Sequence, residues 1–202
     1  MILIGLSGKA RVGKDTAGTY LYNKLSEINY NTFITAYANQ LKQDLIDKFG
    51  LSFAQVHGDL KEVPDTRYPK QGTQTFWTPR EMMQAYGQFM RSFDKDYWVK
   101  ALFKVIDTER NHLVITDLRQ PNEVKAILDR GGFHIRLFKD DRPEINGKDH
   151  ETERALDNSE LPVHYVVNNN GSKEELFTKL DEILDEILQK EEQSWQAKRT
   201  SA

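Results

Sequence analysis

The sequence contains no cysteine, no long apolar run and no marked excess of charge of either sign. Without cysteine, the chain has no disulfide, no thiolate nucleophile and no cysteine-ligated zinc or iron–sulfur site. No apolar run approaches the ~20 residues of a membrane span, and the first residues lack the basic segment of a signal peptide. The 31 acidic and 28 basic side chains give a net charge of -3, which disfavours a general coat for nucleic acid. These absences favour a soluble, cytoplasmic protein without a membrane or nucleic-acid partner.

Apolar residues make up 38% of the 202 residues, enough to build a hydrophobic core in one domain. Short apolar segments, typical of buried strands, alternate with segments of helical periodicity. The predicted strands cover residues 2–6, 32–37, 112–116, 133–138 and 163–167. Strands that alternate with helices pair in parallel. The sequence therefore predicts an α/β fold, a doubly wound and mostly parallel five-stranded sheet flanked by helices, with its site at the carboxyl ends of the strands.

The most informative motif follows the first predicted strand and precedes a helix. Residues 8–16 have the sequence Gly-Lys-Ala-Arg-Val-Gly-Lys-Asp-Thr, similar to the phosphate-binding loop G-x-x-x-x-G-K-[ST]. In such a loop, backbone N–H groups and the helix N-terminus bind phosphate, while the lysine, here Lys14, reaches the β- and γ-phosphates. The predicted donor-binding residues are Gly8, Arg11, Gly13, Lys14, Asp15 and Thr16. This pattern indicates a P-loop phosphotransferase or NTPase.

Asp15 stands where the loop pattern has a magnesium-binding hydroxyl, and Thr16 follows it. A carboxylate beside a triphosphate is repelled unless it serves a purpose. We therefore expect Asp15 either to orient a magnesium ion, directly or through water, or to accept a proton from the phosphoryl acceptor.

A second polar group follows the strand predicted over residues 112–116. Asp117 is a candidate magnesium-side acid, and Arg119 is a candidate phosphate-binding base. The alternative for Asp117 is to cap the helix that starts at Pro121. Further cations, Arg136 and Arg142, lie on or after the next strand, where a solvated charged loop is the alternative to a catalytic lid.

Polar side chains in the middle of the chain are candidates for binding an acceptor. Arg80, Gln84 and Arg91 fall on one face of a predicted helix, which places two guanidinium groups and an amide together. Guanidinium suits bidentate phosphate recognition. Lys42, early in the preceding helix, is another candidate. A solvated polar face is the alternative for the helix, and a solvated lysine for Lys42.

Together these motifs resemble the deoxynucleoside monophosphate kinases of tailed bacteriophages, within the P-loop nucleotide kinases related to adenylate kinase. The matching segments are residues 8–16, 36–42, 78–98, 115–123 and, more weakly, 150–153. The sequence departs from the family at Asn39-Gln40, where an acid and a proline are frequent, and at Gln120, where an aromatic residue is common. Both departures bear on acceptor preference.

The resemblance implies transfer of the γ-phosphoryl group of ATP to a deoxynucleoside monophosphate, by a monomer or a homodimer. It implies magnesium near Asp15, Thr16 and Asp117, and an acceptor phosphate held by Lys42, Arg80 and Arg119. Lys14, Arg136 and Arg142 would stabilise the transition state. Trp77 or Trp98 would stack on the acceptor base while Gln84 recognises its edge, with a core role as the alternative for either tryptophan.

Three segments are expected to leave the single domain spanning residues 1–202. Residues 51–77 would form an acceptor-binding insertion, residues 139–161 a lid, and residues 191–202 a flexible tail. Two alternative functions remain at this stage. One is a P-loop kinase acting on another phosphorylated molecule such as dephospho-coenzyme A, and the other is a nucleotide-binding switch without catalysis.

Overall fold

The computed structural model describes residues 1–28, 31–106, 110–140, 155–156 and 160–200. In this part of the chain, five parallel strands form one sheet in the order β2-β3-β1-β4-β5. The strands are β1 (Leu3–Ser7), β2 (Thr32–Thr35), β3 (His112–Leu118), β4 (Phe133–Phe138) and β5 (Tyr165–Asn168). The predicted five-stranded α/β fold is confirmed.

Seven α-helices and one 3-10 helix occur in the described residues. The α-helices are α1 (Lys14–Ile28), α2 (Ala38–Phe49), α3 (Phe53–Val56), α4 (Pro79–Phe93), α5 (Tyr97–Val105), α6 (Pro121–Leu128) and α7 (Lys173–Thr200), and the 3-10 helix is Asp59–Glu62. Within the same residues, no helix combines the length and the apolar character needed to cross a membrane.

The chain divides into two compact units. The first consists of residues 1–36 and 105–202, and the second of residues 37–104. The second unit is larger than the insertion predicted over residues 51–77, because α2, α4 and most of α5 belong to it as well.

The first unit is organised around the sheet. All five residues of β1 are buried, as expected for a central strand of a parallel sheet. Leu21 and Leu25 of α1 and Leu180 and Leu184 of α7 pack with the buried side chains of the sheet in one hydrophobic cluster. This packing fixes α1, and with it the loop that leads into α1, against the carboxyl edge of the sheet.

The second unit has a hydrophobic core of its own. Its fully or nearly buried apolar side chains are Leu41, Leu45, Leu51, Val56, Met82 and Trp98. Helices α2 and α4 approach closely in this core, because Gly87 lacks a Cβ that would lie 2.8 Å from Leu41 Cδ1. The core includes residues of the segment 51–77, which therefore has a fixed attachment to α2 and α4.

Helix α7 continues to Thr200 and so includes most of the segment 191–202, for which a flexible tail was expected. Glu191 accepts a hydrogen bond from the N-terminal ammonium of Met1 at 3.0 Å, and the Arg199 guanidinium lies over the ring of Trp195. These contacts favour helical structure in a polar segment without an apolar stripe.

Candidate active site

The P-loop begins at the centre of the sheet's carboxyl edge. Strand β1 lies between β3 and β4, and Ser7 pairs with Leu118 on one side and with Arg136 on the other. Residues at the ends of three neighbouring strands therefore meet here, as expected where ligands bind in open α/β sheets. The strand order explains why Asp117, Arg119 and Arg136, distant in sequence, lie at the same edge as the loop.

The loop has a backbone conformation that only certain residues adopt easily. Gly8 and Gly13 have φ of 139° and 95°, and Arg11 has φ of 64°. A Cβ on Gly8 would lie 2.4 Å from the carbonyl oxygen of Leu137, so the loop starts in close contact with β4. The first hydrogen bond of α1 runs from the N–H of Ala17 to the carbonyl of Gly13 at 2.9 Å. The predicted strand–loop–helix arrangement is present.

Lys14 is the first residue of α1, and its ammonium folds back over the loop. Its Nζ donates to the carbonyl oxygens of Gly8 at 2.7 Å and Lys9 at 2.8 Å. The charge is thereby held at the mouth of the loop, near the N-terminus of α1, where the helix dipole also favours anions. Asp15 and Thr16 follow in the first turn of α1 and are exposed.

A side chain from beyond β5 also contacts the loop. The amide Nδ2 of Asn169 donates to the carbonyl oxygen of Val12 at 3.0 Å. A Cβ on Gly13 would lie 2.5 Å from the same Nδ2. The sequence-based reasoning did not identify this residue, although its place directly after a strand at the carboxyl edge was a usable signal.

Beneath the loop, Ser7 and His134 form a buried hydrogen bond of 2.7 Å between Oγ and Nε2. The other ring nitrogen, Nδ1, lies 3.1 Å from the carbonyl oxygen of Pro162. Since a carbonyl only accepts, Nδ1 carries the hydrogen and the Ser7 hydroxyl donates to Nε2. Burial lowers the pKa of His134 and favours this neutral form. Sequence-based reasoning missed this pair too, because a lone histidine in an apolar strand gives no specific signal.

Asp117 and Arg119 lie at the end of β3. Asp117 is half-buried within the strand, and Arg119 directly follows it. The buried carboxylate of Glu123 accepts hydrogen bonds from the backbone N–H groups of Arg119 at 2.7 Å and Gln120 at 3.0 Å. Helix α6 is therefore capped by a box formed by Gln120 and Glu123. Glu123 also fixes the backbone that carries Arg119.

The predicted lid is described only at its margins. Arg136 is half-buried on β4, and its Nη1 donates to the carbonyl oxygen of Leu156 at 3.4 Å. Arg136 thus connects the strand beside the loop with a residue of the segment 139–161. Arg142 and most of that segment lie outside the described residues.

In the second unit, Arg80, Gln84 and Arg91 all lie on α4, as their spacing predicted. Arg80 is exposed and forms an ion pair with Glu62 of the 3-10 helix, while Gln84 and Arg91 are half-buried. Lys42 lies on α2. The pKa of His57 is lowered first by partial desolvation and then by the positive charges of Lys42 and Lys61, so both lysines lie close enough to His57 to affect its charge.

The two candidate tryptophans have different environments. Trp98 is 4% exposed, and its Nε1 donates to the carbonyl oxygen of Gly87 at 3.2 Å, so it is a core residue. Trp77 is half-buried, with Lys70 Nζ 5.3 Å from its ring centroid. Its backbone pairs with Asp65 and Tyr68, which places Trp77 on an ordered strand-like segment.

Asp65 organises the segment that carries Trp77. It is 8% exposed and accepts hydrogen bonds from the Arg67 guanidinium at 2.9 and 2.6 Å, and from Gln55 at 2.8 Å. The hydrogen bonds from Arg67 hold the pKa of Asp65 well below its ordinary value. Sequence-based reasoning did not detect this ion pair, in which the Asp65 carboxylate is buried and the Arg67 side chain is exposed.

The donor groups near the loop fit a magnesium ion. Mg2+ prefers oxygen ligands and usually takes one or two carboxylates together with substrate phosphates. The carboxylates of Asp15 and Asp117 and the hydroxyl of Thr16 are oxygen donors on α1 and β3, elements that pack against each other in the first unit. No cluster of three or more His, Asp or Glu side chains able to hold a metal occurs in the described residues.

Comparisons with known proteins identify the family. The family model for deoxynucleotide monophosphate kinase matches residues 59–180. A putative deoxynucleotide monophosphate kinase of Acanthamoeba polyphaga mimivirus is 32% identical over 94% of this chain and 99% of its own length. The deoxynucleotide monophosphate kinase of Escherichia phage RB69 is 29% identical over 62% of this chain and 52% of its own length.

Among solved structures, dephospho-CoA kinase from Campylobacter jejuni is 10% identical, with a TM-score of 0.42 over 92% of this chain and 96% of that one. This likeness is weak, and the fold assignment rests on the strand order and the P-loop. The sequence matches carry the family assignment. The chain belongs to the deoxynucleotide monophosphate kinase family and is a phosphotransferase enzyme.

Proposed function

We propose that this protein transfers the γ-phosphoryl group of ATP to deoxynucleoside 5′-monophosphates and releases ADP and the nucleoside diphosphate. The observation that carries the proposal is the P-loop at the centre of the sheet's carboxyl edge, with Asp117 on the neighbouring strand and Arg119 directly after it. Family membership supplies the class of acceptor.

The first unit binds the donor. Gly8, Gly13 and the N-terminus of α1 supply backbone N–H groups for the phosphates, and Arg11 lies at the exposed side of the loop. Lys14 exchanges the carbonyl oxygens of Gly8 and Lys9 for phosphate oxygens. This exchange is favourable because a charge-assisted hydrogen bond is stronger than one to a neutral carbonyl.

Asp15, Thr16 and Asp117 would hold magnesium. Magnesium held by these oxygen donors would supply positive charge against the negative charge of the phosphates during transfer. Asp15 has a second assignment compatible with its exposed position, which is to accept the proton of the acceptor phosphate.

Acceptor binding is assigned to seven side chains. They are Lys42, Trp77, Arg80, Gln84, Arg91, Asp117 and Arg119. Arg119, Lys42 and Arg80 would hold the acceptor phosphate, as guanidinium and ammonium groups do. Trp77 would stack its aromatic ring on the acceptor base, and the Gln84 amide would recognise the edge of that base.

The reaction needs positioning and electrostatic stabilisation more than a strong base. Lys14 and Arg136 would stabilise charge on the transferring group, and Arg142 has the same assignment from the sequence. Arg136 is suited to this role because it pairs in register with Ser7, the residue before the loop.

The experiment that tests the function is an ADP-release assay with ATP, Mg2+ and each of the four deoxynucleoside monophosphates, their ribonucleotide counterparts and dephospho-coenzyme A. We expect ADP release that depends on at least one deoxynucleoside monophosphate. Activity on dephospho-coenzyme A alone would replace the proposed acceptor. ATP binding without ADP release on any acceptor would replace the enzyme by a nucleotide-binding switch.

A further inference from the structure

Asn169 occupies a position between the end of the sheet and the P-loop. It directly follows β5, and its backbone N–H donates to the carbonyl oxygen of Phe138 at 2.8 Å. Its backbone is therefore held by the end of β4, while its side-chain amide reaches the carbonyl oxygen of Val12 at 3.0 Å. The residue that contacts the loop is thus itself anchored to the rigid sheet.

The contact fixes the orientation of one peptide group in the loop. The peptide bond between Val12 and Gly13 is planar and trans, so its carbonyl and its N–H point in opposite directions. When the carbonyl of Val12 points toward the Asn169 amide, the N–H of Gly13 points away from it. Because successive N–H groups of such a loop must converge on the anion, the orientation of this peptide bears directly on phosphate binding.

Gly13 shows how tight this arrangement is. Its φ of +95° is a conformation that side-chain-bearing residues rarely adopt, and a Cβ would lie 2.5 Å from Asn169 Nδ2. The Asn169 amide occupies the space that a side chain at position 13 would need. Lys14, the proposed catalytic lysine, directly follows Gly13, so the orientation of this peptide also affects where Lys14 lies.

We propose that Asn169 is a positioning residue that holds the Val12–Gly13 peptide of the P-loop in the orientation that binds ATP phosphates. The inference deepens the proposed function and rests on it for its kinetic consequences, whereas its consequence for ATP binding is independent of the acceptor. Asn169 acts through the loop backbone, so its removal should weaken the binding of ATP and leave the binding of the deoxynucleoside monophosphate unchanged.

Two variants separate hydrogen bonding from space filling. Asn169→Ala removes the amide, and Asn169→Leu keeps a side chain of similar shape without a donor. Asn168→Ala is the matched control, because the Asn168 side chain accepts its hydrogen bond from the N–H of Asn170 in the same turn, whereas that of Asn169 donates to the loop. The full-length proteins are compared by calorimetric titration with ATP and Mg2+, by steady-state kinetics and by thermal unfolding.

We expect both Asn169 variants to raise the Kd and KM for ATP by roughly 5- to 10-fold, the loss expected for one hydrogen bond. The KM for the deoxynucleoside monophosphate should stay within about 2-fold, and Asn168→Ala should bind ATP like the wild type. If all three variants had a lowered melting temperature and unchanged ATP affinity, Asn169 would contribute only to the stability of the turn. That result would overturn the proposal.

Wild-type ATP affinity in Asn169→Leu would also overturn it, since hydrogen-bond donation would then be dispensable. Equal loss of ATP affinity in Asn168→Ala would do the same. If the wild-type protein transfers no phosphoryl group to any deoxynucleoside monophosphate, the proposed function fails, while the ATP titrations still decide whether Asn169 positions the loop.

Discussion

Lys14 holds its ammonium against two carbonyl oxygens of its own loop, at 2.7 and 2.8 Å. Neither carbonyl carries a full charge, and a charge-assisted hydrogen bond to a phosphate oxygen is stronger than one to a neutral carbonyl. We therefore expect the ammonium to leave these two carbonyls for the phosphates of the donor nucleotide. At the scale of the residue, the Lys14 ammonium is placed to bind the negative charge of the substrate's phosphates.

Replacing Lys14 with alanine should reduce kcat/KM by roughly 100-fold or more, the effect of deleting one transition-state donor. The protein should remain folded, because Lys14 lies at the end of the loop and its side chain is not among the apolar groups of the hydrophobic core. An ADP-release assay and a thermal melt of Lys14→Ala measure both effects. Lys9→Ala, which keeps the Lys9 carbonyl, is the control. Unchanged turnover in Lys14→Ala would contradict the P-loop assignment.

Arg119→Ala should chiefly impair acceptor use. We expect the KM for the deoxynucleoside monophosphate to rise roughly 10- to 100-fold, as for loss of a charge-assisted contact. The KM for ATP should change little. Arg130→Ala is a suitable control, because Arg130 bonds to the carbonyl of Ala126 at the far end of α6. An effect confined to ATP would refute the assigned role.

At the scale of elements, helix starts are the features that local sequence specified best. Thr78-Pro79-Arg80-Glu81 predicted a capped helix, and α4 begins at Pro79 with a reciprocal box between Thr78 and Glu81. The Ser172 hydroxyl likewise accepts from the N–H of Glu175 at the start of α7. Capping involves residues three positions apart, so a short segment contains all the information.

Thr78→Ala should lower the free energy of unfolding by about 1 kcal/mol, the usual value of an N-cap. Urea denaturation followed by circular dichroism measures the change. Thr78→Ser keeps the hydroxyl and should stay within about 0.5 kcal/mol of the wild type. Equal destabilisation by both substitutions would show that the methyl group, and not the cap, is what matters.

At the scale of the whole molecule, desolvation acts on histidines in both units in the same direction. It is the first cause that lowers the pKa of the buried His134, the half-buried His112 and the exposed His57 and His164 below the ordinary 6.5. At a pH below 6.5, the histidines of the unfolded chain bind protons that the same histidines of the folded protein do not bind. The free energy of unfolding must therefore fall as the pH drops through the region just below 6.5.

As the pH is lowered from about 7.5 to 5.5, the melting temperature should decrease. The free energy of unfolding should fall by up to about 1.4 kcal/mol per pH unit for each proton that only the unfolded chain binds. Thermal unfolding at several pH values tests this. A His57→Gln, His164→Gln double variant should show a shallower decline. A melting temperature that stays constant over this range would disprove the linkage.

The fold could be predicted from sequence because its elements follow local rules. The strands are short apolar segments, and the alternation of strands with helices favours parallel pairing. The division into two units was not predicted. It depends on how Leu51 and Val56 pack with Leu45 and Met82, and no periodicity within residues 51–77 reveals that packing.

The sequence by itself determined the phosphate-binding loop, the candidate Lys14 and the order of strands and helices, because neighbouring residues specify strands, loops and caps. The tertiary structure alone decided what holds the loop. Asn169 meets Val12 across 157 positions of the chain, and His134 meets Ser7 across 127. Such contacts exist only once parallel pairing has brought the ends of β1, β4 and β5 to one edge of the sheet. The residues of the phosphate-binding loop are neighbours in the sequence, whereas the contacts that hold the loop in place depend on the assembled sheet.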